Sequence, residues 1–98
     1  MAEPYEDVEV TENPERTRFE ARIGDALAGV LVYADDEPGT RTLLHTVVGE
    51  EYGGHGVGGA LASRTLADAR ERGLRIVPVC TFVQAWLERH PEHADLVA

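Results

Sequence analysis

Five of the seven residues from Gly53 to Gly59 are glycine, in the run Gly53-Gly54-His55-Gly56-Val57-Gly58-Gly59. Glycine weakens a helix or strand interior by roughly 0.5–1 kcal/mol relative to alanine, so five together serve backbone geometry rather than regular structure. The flanks say where that geometry is used. Thr40 to Val48 (TRTLLHTVV) is rich in β-branched residues and reads as a strand. From Val57 onward, Val57, Leu61, Ala62, Thr65, Leu66 and Ala69 make one apolar helical stripe. Ser63, Arg64, Asp68, Glu71 and Arg72 fall on the other side. Gly73 fits a C-terminal stop, with Leu74 closing its apolar contact. A glycine turn from strand into helix brings bare backbone N–H groups to the positive end of the helix dipole. That is a cradle for phosphate or pyrophosphate. The plainer alternative is a flexible connection.

The remaining elements set this turn in an α/β frame. Residues 1–15 carry Pro4, Pro14 and six acids, and predict at most a short strand around Val8–Val10. Arg18 to Ile23 alternates polar and apolar, so one face is buried. Gly24-Asp25 turns the chain into Leu27–Ala34, a mostly apolar strand with Gly29 at a bulge. Asp35-Asp36-Glu37-Pro38-Gly39 is a second turn, and Thr40–Val48 completes a three-strand antiparallel meander. After the helix, Arg75–Val79 is a short strand, expected parallel to Thr40–Val48 through a strand–helix–strand crossover. Thr81 and Gln84 suggest a capping box for a short helix from Phe82 to about Arg89, which Pro91 ends.

At 98 residues the chain has room for one domain, 1–98, with 1–15 loosely held. No apolar run approaches the ~20 residues of a membrane span, and the acidic start lacks the pattern of a secretory signal. A single cysteine, Cys80, excludes an internal disulfide and points to a reducing, cytoplasmic setting. Net charge is -9, and 13 of the 18 acids precede residue 53. That balance argues against nucleic-acid binding and suits a cationic partner or a solvated surface. All nine basic residues are arginine.

The loop does not read as either common nucleotide motif. Gly54, Gly56 and Gly59 match G-x-G-x-x-G, but three strands precede the loop and Leu74–Cys80, ~20 residues on, holds no acid for a ribose. A triphosphate P-loop needs a lysine, and the chain has none.

From Leu44 to Val97 the chain resembles the GNAT acetyltransferase superfamily, nearest its small stand-alone branch. The resemblance rests on five segments in order. They are His45-Thr46-Val47-Val48, an acidic turn, the glycine loop, Val77-Pro78-Val79-Cys80, and Glu88-Arg89-His90-Pro91-Glu92. It implies a truncated GNAT-like fold that binds acetyl-CoA and moves an acetyl group to an amine, of a protein or peptide among other acceptors. The coenzyme would lie between splayed strands Leu44–Val48 and Ile76–Cys80. Thr46, Val47 and Val48 would meet the pantetheine, and Gly53, Gly54, His55, Gly56, Val57, Gly58 and Gly59 the pyrophosphate. Gly53 departs from the pattern, which opens with Arg or Gln. His55, Arg64 or Arg70 could supply the missing charge.

Acyl transfer needs a nucleophile, a site for the oxyanion and a proton for the leaving thiolate. Cys80, just ahead of the short helix, is the candidate acyl acceptor, or a small core filler. His45 reads as a core histidine sharing a face with Leu43 and Val47, or as a base orienting Cys80. Glu50, Glu51, Tyr52 and His90 are further proton carriers. His90 and His93 lack companions for a metal site, and none is expected. Trp86 and Phe82 read as packing residues. With few residues before the first firm strand, the acceptor site is expected to be open, or completed by a second subunit, so the chain is a monomer or homodimer. The rival reading is a catalytically silent coenzyme-binding sensor or partner-binding module.

Overall fold

The computed structural model describes residues 8–54 and 56–98. Five strands form one sheet in sequence order: β1 (Val8–Asn13), β2 (Arg18–Ile23), β3 (Ala26–Glu37), β4 (Thr40–Val48) and β5 (Arg75–Pro78). The first four are antiparallel neighbours, and β5 runs parallel to β4. Helix α1 (Val57–Arg72) makes the crossover between β4 and β5, and α2 (Thr81–Arg89) follows β5. Short 3-10 turns occupy Pro14–Arg16, Glu50–Tyr52 and Pro91–Leu96.

The apolar stripe of α1 is the seam of the core. Val57, Leu61, Ala62, Thr65, Leu66 and Ala69 are all buried, against Phe19, Leu31, Leu43 and Ile76 from the sheet and Val83 from α2. At ~25 cal/mol per Å² of apolar surface, each buried valine, leucine, isoleucine or phenylalanine here stabilises the fold by roughly 1.5–3 kcal/mol. Gly73 ends α1 at φ +70°. Its N–H bonds the Arg70 carbonyl at 3.2 Å, and the Leu74 N–H bonds that of Ala69 at 2.8 Å. This is the Schellman closure, with half-buried Leu74 packed on the core.

Four expectations need correction, and buried charge explains three. The first strand extends to Asn13 because Glu12 is tied down by the Tyr33 hydroxyl at 2.5 Å and Arg72 at 2.7 Å. The acids Asp35, Asp36 and Glu37 belong to β3, not to a turn. Arg41 holds both Asp35 oxygens at 2.8 and 2.9 Å, leaving Pro38-Gly39 to reverse the chain. The same Arg41, 3% exposed, lies 3.9 Å above the Tyr33 ring and 3.4 Å from Asp68. Asp68 is therefore buried rather than solvated. The fourth correction concerns α2, whose N-cap is Cys80 rather than Thr81. The Gln84 side chain donates to the Pro78 carbonyl at 2.9 Å instead of completing a capping box.

The face of the sheet away from both helices carries the exposed Val47 and Val77. Glu20 also belongs to that face, yet it is buried beneath Asn13, Arg18 and Arg22, which bond it at 2.8–3.0 Å.

Candidate functional site

The glycine loop lies where β4 hands over to α1, at one end of the sheet. Gly54 and Gly56 take φ of +80° and +79°, left-handed conformations that glycine enters without Cβ strain. Gly56 is the N-cap of α1, and among the described residues no side chain caps the helix. The Ala60 N–H closes the first turn on the Gly56 carbonyl at 3.0 Å. The amides of Val57, Gly58 and Gly59 precede that bond, so the helix leaves them without an internal acceptor. They front a cavity of about 550 Å³ walled by Val48, Tyr52, Phe82 and Arg89. A second cavity of about 540 Å³ adjoins it, sharing Gly59, Trp86 and His90 and continuing past Ser63 and Arg64.

The glycines divide by purpose. A Cβ on Gly58 would stand 2.7 Å from the Phe82 ring, so that glycine lets α2 close on α1. Gly53 sits at φ -63° and ψ 143°, where any residue fits. His55 lies outside the described residues.

Beside the loop, the ladder between β4 and β5 stops early. Its last pair is Leu43↔Pro78, and beyond it the Val79 and Cys80 amides both turn onto the Leu43 carbonyl, at 3.0 and 2.9 Å. Residues 44–48 of β4 thus keep a strand edge that β5 does not pair. Pro78, with no N–H, suits the end of a ladder. At the root of this opening the Cys80 thiol lies 3.3 Å from the Thr46 hydroxyl. Cys80 is 5% exposed.

His45 is not the neighbour of that thiol. Val32 pairs with His45 but Tyr33 pairs with Leu43, so Leu44 is an extra residue in β4. That bulge exchanges the faces of the strand. Leu43 points into the core, Thr46 toward Cys80, and His45 is exposed together with Val47 on the other side. His45 therefore neither sits in the core nor orients Cys80. Val47 likewise turns its side chain away, while Val48 lines the first cavity. Among the other proton carriers, Tyr52 and His90 line that cavity, whereas Glu50 and Glu51 are exposed beside it. Partial burial, then the neighbouring Glu51 carboxylate, raises the Tyr52 pKa, so its phenol keeps its proton at neutral pH.

Of the arginines considered for the loop, Arg70 is engaged by both oxygens of Asp95, at 3.0 and 2.8 Å. Arg64 lines the second cavity, and Arg89, which the sequence did not single out, lines the first. Trp86 is 8% exposed and stacks on His90 with centroids 4.0 Å apart. It packs the helix as expected and borders both cavities besides. Among the described residues no group of three His, Cys, Asp or Glu side chains is placed to hold a metal ion.

Comparison with known proteins converges on one family. The family model GCN5-related N-acetyl-transferase matches residues 18–96. The solution NMR structure of a GCN5-like protein from Staphylococcus aureus has a TM-score of 0.72 and 27% identity, over 95% of this chain and 90% of that one. The crystal structure of Ard1 from Thermoplasma volcanium gives a TM-score of 0.57 at 21% identity, over 63% of this chain and 43% of that one, a likeness of fold alone. No curated protein matches. With its glycine turn, its unpaired β4 edge and most of its length inside the family match, the chain belongs to the GCN5-related N-acetyltransferases.

Proposed function

We propose that the chain transfers the acetyl group of acetyl-CoA to an amine. The observation that carries this reading is the uncapped N-terminus of α1, fronting a cavity that opens beside the unpaired edge of β4. The free amides of Val57, Gly58 and Gly59 suit the coenzyme diphosphate. Main-chain groups of Thr46, Val47 and Val48 suit the amides of the pantetheine arm, as an added strand would. Gly53, Gly54 and Gly56 shape the turn around it. The thioester end then lies toward Cys80 and Thr46.

Cys80 is the proposed acyl relay. Its sulfur attacks the thioester carbonyl, the carbon–sulfur bond to coenzyme A breaks, and the departing thiolate takes up a proton. An acceptor amine next attacks the acetyl-cysteine and restores the thiol. The first-turn amides of α2, which no side chain caps, suit the tetrahedral oxyanion. His45, on the far face, has no part in this scheme. The catalytic unit is the one domain, 1–98, and the lone cysteine suits a reducing, cytoplasmic compartment.

Acetyl-CoA incubation followed by intact mass measurement tests this reading. We expect a single acetyl adduct that Cys80→Ser abolishes, and amine-dependent release of free coenzyme A. Coenzyme binding without an adduct, but with turnover, would make the transfer direct. The small exposure of Cys80 and the missing charge at Gly53 favour one rival, a silent coenzyme-binding module. It requires binding with no turnover for any amine.

A further inference from the structure

We infer that Arg64 and Arg89 are the two cationic contacts for the phosphates of the coenzyme, Arg89 at the diphosphate and Arg64 at the terminal 3′-phosphate. The enzyme would thus select full coenzyme A donors over donors on a shorter arm. The inference rests on the acetyl-CoA reading above and extends it to the far end of the ligand.

It starts from the arginines as a set. The chain has nine, against 18 acids. Arg18, Arg22, Arg41, Arg70 and Arg72 each meet a carboxylate, and Arg75 donates to the Val97 carbonyl at 2.8 Å. Among the described residues, only Arg16, Arg64 and Arg89 have guanidinium groups without a partner. Arg16 lies in the turn between β1 and β2. The other two line the adjoining cavities at the glycine loop, one in each. In so acidic a chain, an unpaired cation in each of two adjoining cavities provides the local positive field that an anionic ligand needs.

The layout assigns the phosphates. Arg89 borders the cavity fronted by the free amides, where Gly53 contributes no side chain. Arg64 borders only the second cavity, beyond Gly59 and one helical turn past the loop. Trp86 and His90, stacked on each other, line both cavities and give the purine an aromatic border. A phosphate monoester carries about -1.5 to -2 charges at neutral pH, and a guanidinium can meet it through two parallel hydrogen bonds.

Calorimetric titration of the intact protein with coenzyme A, 3′-dephospho-coenzyme A and 4′-phosphopantetheine separates the two roles. We expect coenzyme A to bind about tenfold tighter than the dephospho form, and phosphopantetheine to bind weakest. Arg64→Gln should erase the difference between the first two and leave dephospho-coenzyme A unchanged. Arg89→Gln should weaken both by a similar factor. Both side chains are exposed and unpartnered, so neither variant threatens folding. Equal wild-type affinity for the two coenzymes, or an equal loss for both in Arg64→Gln, would overturn the assignment with the acetyl-CoA reading intact. Failure of all three compounds to bind would overturn that reading too.

Discussion

At the scale of single residues, Gly53 offers the clearest handle on affinity. Its backbone is open to any side chain, and a Cβ there would meet only the Glu50 carbonyl, at 3.4 Å. Gly53→Arg should therefore fold normally and bind acetyl-CoA about threefold to tenfold tighter, as calorimetry would show. Unchanged affinity would mean that position 53 does not face the ligand. Gly29 is the opposite case. A Cβ there would lie 2.8 Å from the Val47 carbonyl and 3.1 Å from Val57. We expect Gly29→Ala to destabilise the protein by about 1–3 kcal/mol in urea unfolding. The sequence marked Gly29 as a bulge, and β3 does place an extra residue, Ala28, beside it, opposite Ala21 and Arg22. It could not show the bulge at Leu44, because TRTLLHTVV alternates equally well with either face inward. That one extra residue moved His45 out and brought Thr46 to Cys80.

The elements were readable wherever side-chain periodicity and terminal signals agreed. The bounds of β2 and β4 follow from their patterns, and the whole apolar stripe of α1 is buried. Periodicity failed where charges are buried in pairs, since an acid in a pattern reads as solvent-facing. Asp68 on α1 and Glu12 on β1 instead converge with Asp35 on Arg41 at 2.8–3.7 Å, while Arg72 reaches both Asp68 and Glu12. This cluster ties the C-terminal half of α1 to β1, β3 and β4, leaving the N-terminal half to front the cavity. Removing Arg41 leaves Glu12 and Asp68, which have little water, with the half-exposed Arg72 alone. Arg41→Ala should cost about 3 kcal/mol in chemical unfolding and lower the melting temperature. A cost under about 1 kcal/mol would make the cluster a solvated surface feature.

For the whole molecule, stability should fall at both extremes of pH. Hydrogen bonds from Asn13 and Arg18 hold the Glu20 carboxyl below its usual value, and Arg41 does the same for Asp35. Each stabilises the fold fully above the unfolded carboxylate pKa near 4, and the contribution is lost as pH falls through the lower folded value. Burial, followed by the bond to Glu12, raises Tyr33 to about 12. Its contribution is full below the unfolded value near 10 and is lost as pH rises through about 12. Thermal melts should be flat across neutral pH and decline below about pH 4 and above about pH 10. Absorbance at alkaline pH should show Tyr33 ionising at about 12, with Tyr52 also above the ordinary tyrosine value. The central claim is that the free amides at the start of α1 hold the coenzyme. Amide NMR spectra recorded during titration with acetyl-CoA test it residue by residue. We expect the largest saturable shifts at Val57, Gly58 and Gly59, with smaller ones along Thr46–Val48. Saturable shifts that leave Val57, Gly58 and Gly59 unmoved, or none at any concentration, would contradict it.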